Sequence, residues 1–142
     1  MIYFDSSALV KRYVKEEGSE TVQSLIERGG SIATSKLAYP EILSAFGRKQ
    51  RTGELAAALF RKLVDQFDAD WKSVFVVELH DELLPTVKLL SAKYSLKGAD
   101  TVHLSSALWL KRSVQTDMIF VASDGNLLEA AKGERLKVIN PR

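Results

Sequence analysis

Cysteine is absent from the 142-residue chain. That excludes disulfide scaffolds, Cys-ligated zinc, iron–sulfur clusters and thiol nucleophiles, and it is compatible with the reducing cytoplasm in which the protein is expected to work. Histidine occurs only twice and proline three times. Neither a Gly-x-Ser-x-Gly elbow nor a Gly-x-x-x-x-Gly-Lys loop occurs, which argues against a serine hydrolase and a P-loop NTPase. No stretch approaches the roughly 18 uninterrupted apolar residues of a membrane span. The opening Met1-Ile2-Tyr3-Phe4-Asp5 has no basic leader, so neither a signal peptide nor a membrane partner is expected. Excess charge is small as well: 20 Lys and Arg against 18 Asp and Glu leave +2. Any nucleic-acid surface must therefore arise from where charges are placed.

Hydrophobic residues make up 46% and charged residues 27% of the chain, the balance of an ordinary globular protein. A chain of this length buries roughly 68–70% of its unfolded surface without needing staples. With no Pro- or Ser-rich linker and no internal repeat, residues 1–142 read as a single domain. Five short apolar runs stand out, Ile2–Phe4, Ser31–Ala33, Val74–Val77, Met118–Ala122 and Leu136–Ile139. They are nearly continuous rather than alternating, as in strands buried on both faces of a parallel sheet. Helical spacing fills the intervals at Ser7–Val14, Glu20–Glu27, Lys36–Gln50, Glu54–Phe67, Glu82–Tyr94, Asp100–Val114 and Leu127–Lys132. The alternation predicts an α/β fold: a three-layer α/β/α sandwich around a mainly parallel sheet of about five strands.

Four acids occupy telling positions in that scheme. Asp5 and Asp124 follow the first and fourth predicted strands, and Glu41 and Asp100 fall early in two predicted helices. Singly, each reads as an N-cap or a first-turn acid favoured by the helix dipole. Together they acquire a second meaning, because ligands of open α/β sheets bind beyond the strand carboxyl ends. Ionised carboxylates about 6 Å apart repel by about 2.8 kcal/mol per pair at an effective dielectric near 20, and six such pairs by on the order of 15 kcal/mol. A cluster of that kind takes up protons, spreads apart or binds a cation. All-oxygen donors favour a hard ion, Mg²⁺ or Mn²⁺, which suits phosphodiester hydrolysis.

The residues around these acids resemble the PIN-domain family. Asp5-Ser6-Ser7-Ala8-Leu9-Val10 and Pro40-Glu41-Ile42-Leu43-Ser44-Ala45-Phe46 are similar to its first two motifs. Ala99-Asp100-Thr101-Val102-His103-Leu104-Ser105-Ser106-Ala107-Leu108 is similar to the third, and Phe120-Val121-Ala122-Ser123-Asp124 with Leu127-Leu128-Glu129-Ala130-Ala131 to the fourth. Size and the Ala99–Leu108 segment look most like the VapC toxins of toxin–antitoxin pairs. The resemblance implies a PIN-like fold and a Mg²⁺- or Mn²⁺-dependent endoribonuclease that is usually dimeric and held inactive by a VapB-like antitoxin. It also implies structured RNA as substrate, often tRNA or ribosomal RNA. Carried over by position, Asp5 and Asp100 are the principal metal ligands, with Glu41 and Asp124 binding directly or through water. Ser7 would hold water or a phosphate. The chain departs from the pattern at Ala122, where many relatives carry Thr or Ser; Ser123 is the nearest hydroxyl that could support Asp124.

His103 shares a helical face with Asp100 and reads as a packing and hydrogen-bonding residue rather than a general base or ligand. His80 reads as surface or capping. Lys11 and Arg12 follow Asp5 closely enough to flank an acidic pocket and hold RNA phosphates; the bland alternative is a solvated helix face. Trp71 and Trp109 read as core or interface. The stripe Leu55, Ala58, Leu59, Leu63 and Phe67, with Ile42 and Phe46, reads as core, or as a groove for an antitoxin helix. Two further functions fit the same residues: a PIN nuclease of RNA processing without an antitoxin, and a non-catalytic interaction module.

Overall fold

The computed structural model describes residues 1–142. Five strands, β1 (Ile2–Phe4), β2 (Ile32–Ser35), β3 (Phe75–Val77), β4 (Ile119–Val121) and β5 (Lys137–Ile139), form one sheet in the order β3-β2-β1-β4-β5. Every pairing is parallel, with Ile2 opposite both Ile32 and Ile119. Seven α-helices connect them: α1 (Ser6–Leu9), α2 (Ser19–Glu27), α3 (Ala38–Arg51), α4 (Ala57–Trp71), α5 (Leu84–Lys93), α6 (Gly98–Val114) and α7 (Gly125–Gly133). Single 3-10 turns extend α1 through Val10–Arg12 and precede α5 at Asp81–Leu83.

Alternation across the central strand assigns the layers, because successive side chains leave opposite faces. Tyr3 and Phe120 enter one core, packed with Leu104, Ala107 and Leu110 of α6, Leu90 of α5 and Leu127, Leu128 and Ala131 of α7. Phe4 and Val121 enter the other, packed with Ala8 and Leu9 of α1, Val22 and Leu25 of α2, Ile42 and Phe46 of α3, and Leu63 and Phe67 of α4. The architecture is thus the expected α/β/α sandwich. Phe67 is its most aromatic point, with the rings of Tyr13, Tyr39, Phe46 and Trp71 all within about 6.1 Å of its centroid. Within the Leu55–Phe67 stripe, Leu55, Leu63 and Phe67 are core, while Ala58 and Leu59, the latter at 46% exposure, are offered to solvent.

Two expectations need adjusting. The strands are not all covered on both faces: β3 and β5 are sheet edges, with Phe75 47% exposed and Lys137 exposed. The helix predicted at Ser7–Val14 has only one α-helical turn before it tightens to 3-10. Chain direction matters more for the site. After β1 the chain builds outward through β2 and β3, then returns to the other side of β1 with β4. This reversal opens a crevice beyond the carboxyl ends of β1 and β4, the point where doubly wound sheets bind ligands. On the neighbouring flank Gly18 (φ +92°) is required, since a Cβ there would stand 1.9 Å from the Pro141 carbonyl oxygen. No helix is long and apolar enough to cross a membrane.

Candidate active site

Asp5 leaves β1 at this crevice and caps α1, its Oδ1 accepting from the Ala8 N–H at 2.9 Å. Its own N–H donates to the Val121 carbonyl at 3.1 Å, which ties the residue to the end of β4. The Ser7 hydroxyl lies 2.8 and 2.9 Å from the two Asp5 oxygens and donates to them, so Ser7 is committed to Asp5. Asp5 is only 3% exposed. Burial pushes its carboxyl above the ordinary value, and the Asp100 charge adds to the rise; His103, the Ala8 N–H and Ser7 oppose it.

Asp124 follows β4 by the same logic and caps α7, accepting from the Leu127 N–H at 2.9 Å. Asp100 sits in the first turn of α6. Burial raises its pKa, and the neighbouring charges of Asp124 and Glu41 raise it further; the Lys97 charge and His103 act the other way. Glu41, in the first turn of α3, is lowered instead. The cause is the hydrogen bond with His103, joined by that from Ser6 and opposed by burial. Ser6 donates to Glu41 Oε1 at 2.5 Å, and His103 Nε2 lies 3.0 Å from the same oxygen.

The topology therefore brings all four sequence-predicted acids to the carboxyl edge of the sheet, where Asp100 feels the charges of Asp124 and Glu41 and Asp5 feels that of Asp100. It does not close them on a point: no three His, Asp or Glu side chains form a group that could hold a metal ion by themselves. The acidic edge is more open than a cluster of four mutually adjacent charges, for a physical reason. Asp5 and Asp124 are engaged by their helix caps, and Glu41 is turned to Ser6 and His103. The donor chemistry still fits a hard divalent cation. The oxygens are carboxylate, Asp5 is disfavoured as an anion by burial and by the Asp100 charge, Asp100 by burial and by the charges of Asp124 and Glu41, and Mg²⁺ usually takes only one or two carboxylates and keeps its waters.

The remaining candidates divide. Ser123 Oγ is buried without a hydrogen-bond partner, so the fourth carboxylate is held by the Leu127 backbone rather than by this hydroxyl. Lys11 lines a polar cleft with Ser123, Asn140 and Arg142, its Nζ bonded to Glu16 Oε1 at 3.2 Å and the Glu17 carbonyl at 2.7 Å. Arg12 is not brought to the acids. It pairs with Asp70 at 3.2 Å and lines a cavity of about 480 Å³ between the amino-terminal ends of β2 and β3, at the opposite edge of the sheet. His80 stands at the N-cap position of the Asp81–Leu83 turn without a side-chain cap bond, and its ring lies edge-on to Trp109 with centroids 4.6 Å apart. Two functional neighbours escaped the sequence reading, Ser6 and Tyr3. Ser6 lies within the Asp5-Ser6-Ser7 motif, but Tyr3, a core residue of β1, carries no local signal.

Comparisons with known proteins bear on the family and the fold. A family model described as "PIN domain" matches residues 2–133. Ribonuclease VapC45 of Mycobacterium tuberculosis (strain CDC 1551 / Oshkosh) is 35% identical over 112 residues, covering 76% of this chain and 75% of the relative. Among solved structures, FitAcB from Neisseria gonorrhoeae superposes with a TM-score of 0.72 at 13% identity, over 99% of this chain and 98% of that one. A toxin–antitoxin complex from Klebsiella pneumoniae gives 0.68 at 12% identity, over 100% and 98%.

Proposed function

From the premise that this chain belongs to the PIN-domain family, grouping there with the VapC ribonucleases, we propose that it is a divalent-metal-dependent endoribonuclease and the toxin of a toxin–antitoxin pair. The observation that carries the proposal is the placement of Asp5 and Asp100. Both lie at the switch-point crevice, and both are raised by burial and by neighbouring carboxylate charge. The relative's name supports ribonuclease chemistry, and the likeness to a toxin–antitoxin complex supports a VapB-like protein partner. Structured RNA, tRNA or ribosomal RNA, is the proposed substrate, and a cytoplasmic homodimer the proposed working form.

In this reading Asp5 and Asp100 would hold a Mg²⁺ or Mn²⁺ ion, and Glu41 and Asp124 would support it directly or through water. When bound, such an ion neutralises charge growing on the phosphoryl oxygens and makes an attacking water more acidic. The protein's own groups supply the orientation. Ser7 and the Ala8 N–H fix the Asp5 carboxylate, Ser6 and His103 fix Glu41, and the Leu127 N–H fixes Asp124. Lys97, whose charge reaches Asp100, offers a cation for the RNA backbone at the mouth, with Lys11 on the flank.

The openness of the acidic edge favours one competing reading, a non-catalytic interaction module that keeps the fold. Expression of the chain with and without Asp5→Asn, followed by sequencing of new RNA 5′ ends, decides between them. One dominant set of cuts that Asp5→Asn abolishes is expected; unchanged RNA pools under strong expression would support the module.

A further inference from the structure

Beneath the acids lies a buried polar relay. The His103 ring is 1% exposed. Its Nδ1 lies 2.9 Å from the Tyr3 phenol oxygen, and its Nε2 lies 3.0 Å from both Ser6 Oγ and Glu41 Oε1. The Ser6 hydroxyl gives its single proton to that same Oε1. A carboxylate only accepts, so a bare Nε2 lone pair here would face Glu41 and Ser6 with no proton between them. Nε2 must therefore carry the hydrogen. In the neutral ring Nδ1 is then an acceptor, and the Tyr3 O–H is the donor placed to reach it. Both protein contacts to Glu41 fall on Oε1, leaving Oε2 outside the hydrogen-bond network.

We propose that His103, with its tautomer set by Tyr3, is a positioning residue for Glu41: together with Ser6 it holds one carboxylate oxygen so that the other is presented to the cleavage site. The inference rests on the ribonuclease reading of the acidic edge. It is the organisation by which outer hydrogen bonds orient site carboxylates, extended two side chains into the core. Tyr3 is well suited as the end of the relay. Its ring stacks on Phe120 at 5.4 Å with the planes 7° apart, so the phenol cannot swing away from His103 without breaking the core.

Three substitutions separate positioning from packing. Tyr3→Phe keeps the stacked ring and removes only the hydroxyl, His103→Gln keeps a donor and an acceptor, and His103→Leu keeps neither. Nitrogen-15 spectra of the chelator-treated protein, recorded where the imidazole is neutral, should show His103 as the Nε2–H tautomer, and a tautomer mixture in Tyr3→Phe. In cleavage assays Tyr3→Phe and His103→Leu should lower kcat by about tenfold or more, in the range seen for outer-shell partners of site ligands, with KM for RNA nearly unchanged. His103→Gln should recover most of that loss. A wild-type His103 in the Nδ1–H form, or wild-type kcat in a folded Tyr3→Phe, would overturn the proposal. If His103→Leu does not fold, the wild-type spectrum and Tyr3→Phe still decide it. The predicted spectrum in a wild-type protein that cuts no RNA would instead overturn the ribonuclease reading and leave the tautomer assignment standing.

Discussion

Replacing Asp5 by Asn and by Ala separates two things that one carboxylate does. Its Oδ1 caps α1 through the Ala8 N–H at 2.9 Å. Asn offers a carbonyl oxygen in the same place and ranks with Asp as a cap, whereas Ala offers none and should lose about 1 kcal/mol. The charge acts in the other direction. Burial and the Asp100 charge raise the Asp5 pKa in the folded protein, so the native state holds this proton more tightly than the unfolded chain does. The stability Asp5 contributes is then complete below its ordinary value of 3.8 and is lost as pH rises through the elevated folded value. At pH 7, well above the ordinary value, keeping this carboxyl in its buried site costs the folded state stability, and Asn removes that cost. With divalent ions chelated, Asp5→Asn should melt at or above wild type at pH 7. Asp5→Ala should melt below Asp5→Asn by roughly 2–8 °C, the shift that about 1 kcal/mol produces in domains of this general size. The advantage of Asp5→Asn should narrow as pH falls towards 3.8. Saturating Mn²⁺ should reverse the order: an ion at about 100 times its Kd adds about 2.7 kcal/mol to wild type and nothing to a variant that no longer binds it. Calorimetric melting at two pH values, with chelator and with Mn²⁺, reads all of this. A chelated Asp5→Asn that melts well below wild type at pH 7 would refute the claim that this charge is held against the fold's preference.

Other outcomes follow from the same coordinates. Phe67→Ala removes a 1%-exposed ring from four aromatic neighbours and should cost about 3–5 kcal/mol, seen as a large drop in denaturation midpoint; a loss under 1 kcal/mol would mean that the cluster relaxes into the cavity. Arg12→Gln breaks a partly exposed ion pair at 3.2 Å, so a loss of no more than about 1 kcal/mol is expected. Because Arg12 stands at the amino edge of the sheet, RNA cleavage should change less than about twofold, within the range of an unconnected surface site; a tenfold loss in a variant with native melting would place the RNA path across that edge.

How much was legible in the chain differs between the fold and the site. Short β-branched runs separated by helical intervals gave the layer order, because each run must be covered by the helices that follow it. The positions of Asp5 and Asp124 were readable for the same reason: a residue directly after a parallel strand lies at the carboxyl edge whatever the register. Lys11 and Arg12 were not separable by sequence. They lie in a 3-10 turn, where successive side chains diverge by about 120°, so one joins the cleft beside Ser123 and the other the cavity at the far edge. Tyr3 and His103 meet across 100 residues of chain, and nothing local marks a core tyrosine as a hydrogen-bond donor to a helix that follows so much later. The openness of the acidic edge was only partly hidden: the Asp124 cap on the Leu127 N–H is local, whereas Ser6 and His103 meet Glu41 only once α1, α3 and α6 are packed.

Asp5 and Asp100 are proposed to form together a seat for a divalent cation at the β1–β4 crevice. Crystals of the protein soaked in Mn²⁺ and measured at the manganese absorption edge test it directly. An anomalous peak in contact with both carboxylates, absent from Asp5→Asn crystals, is expected. A well-ordered crevice with no peak, or a peak bound elsewhere on the molecule, would contradict it.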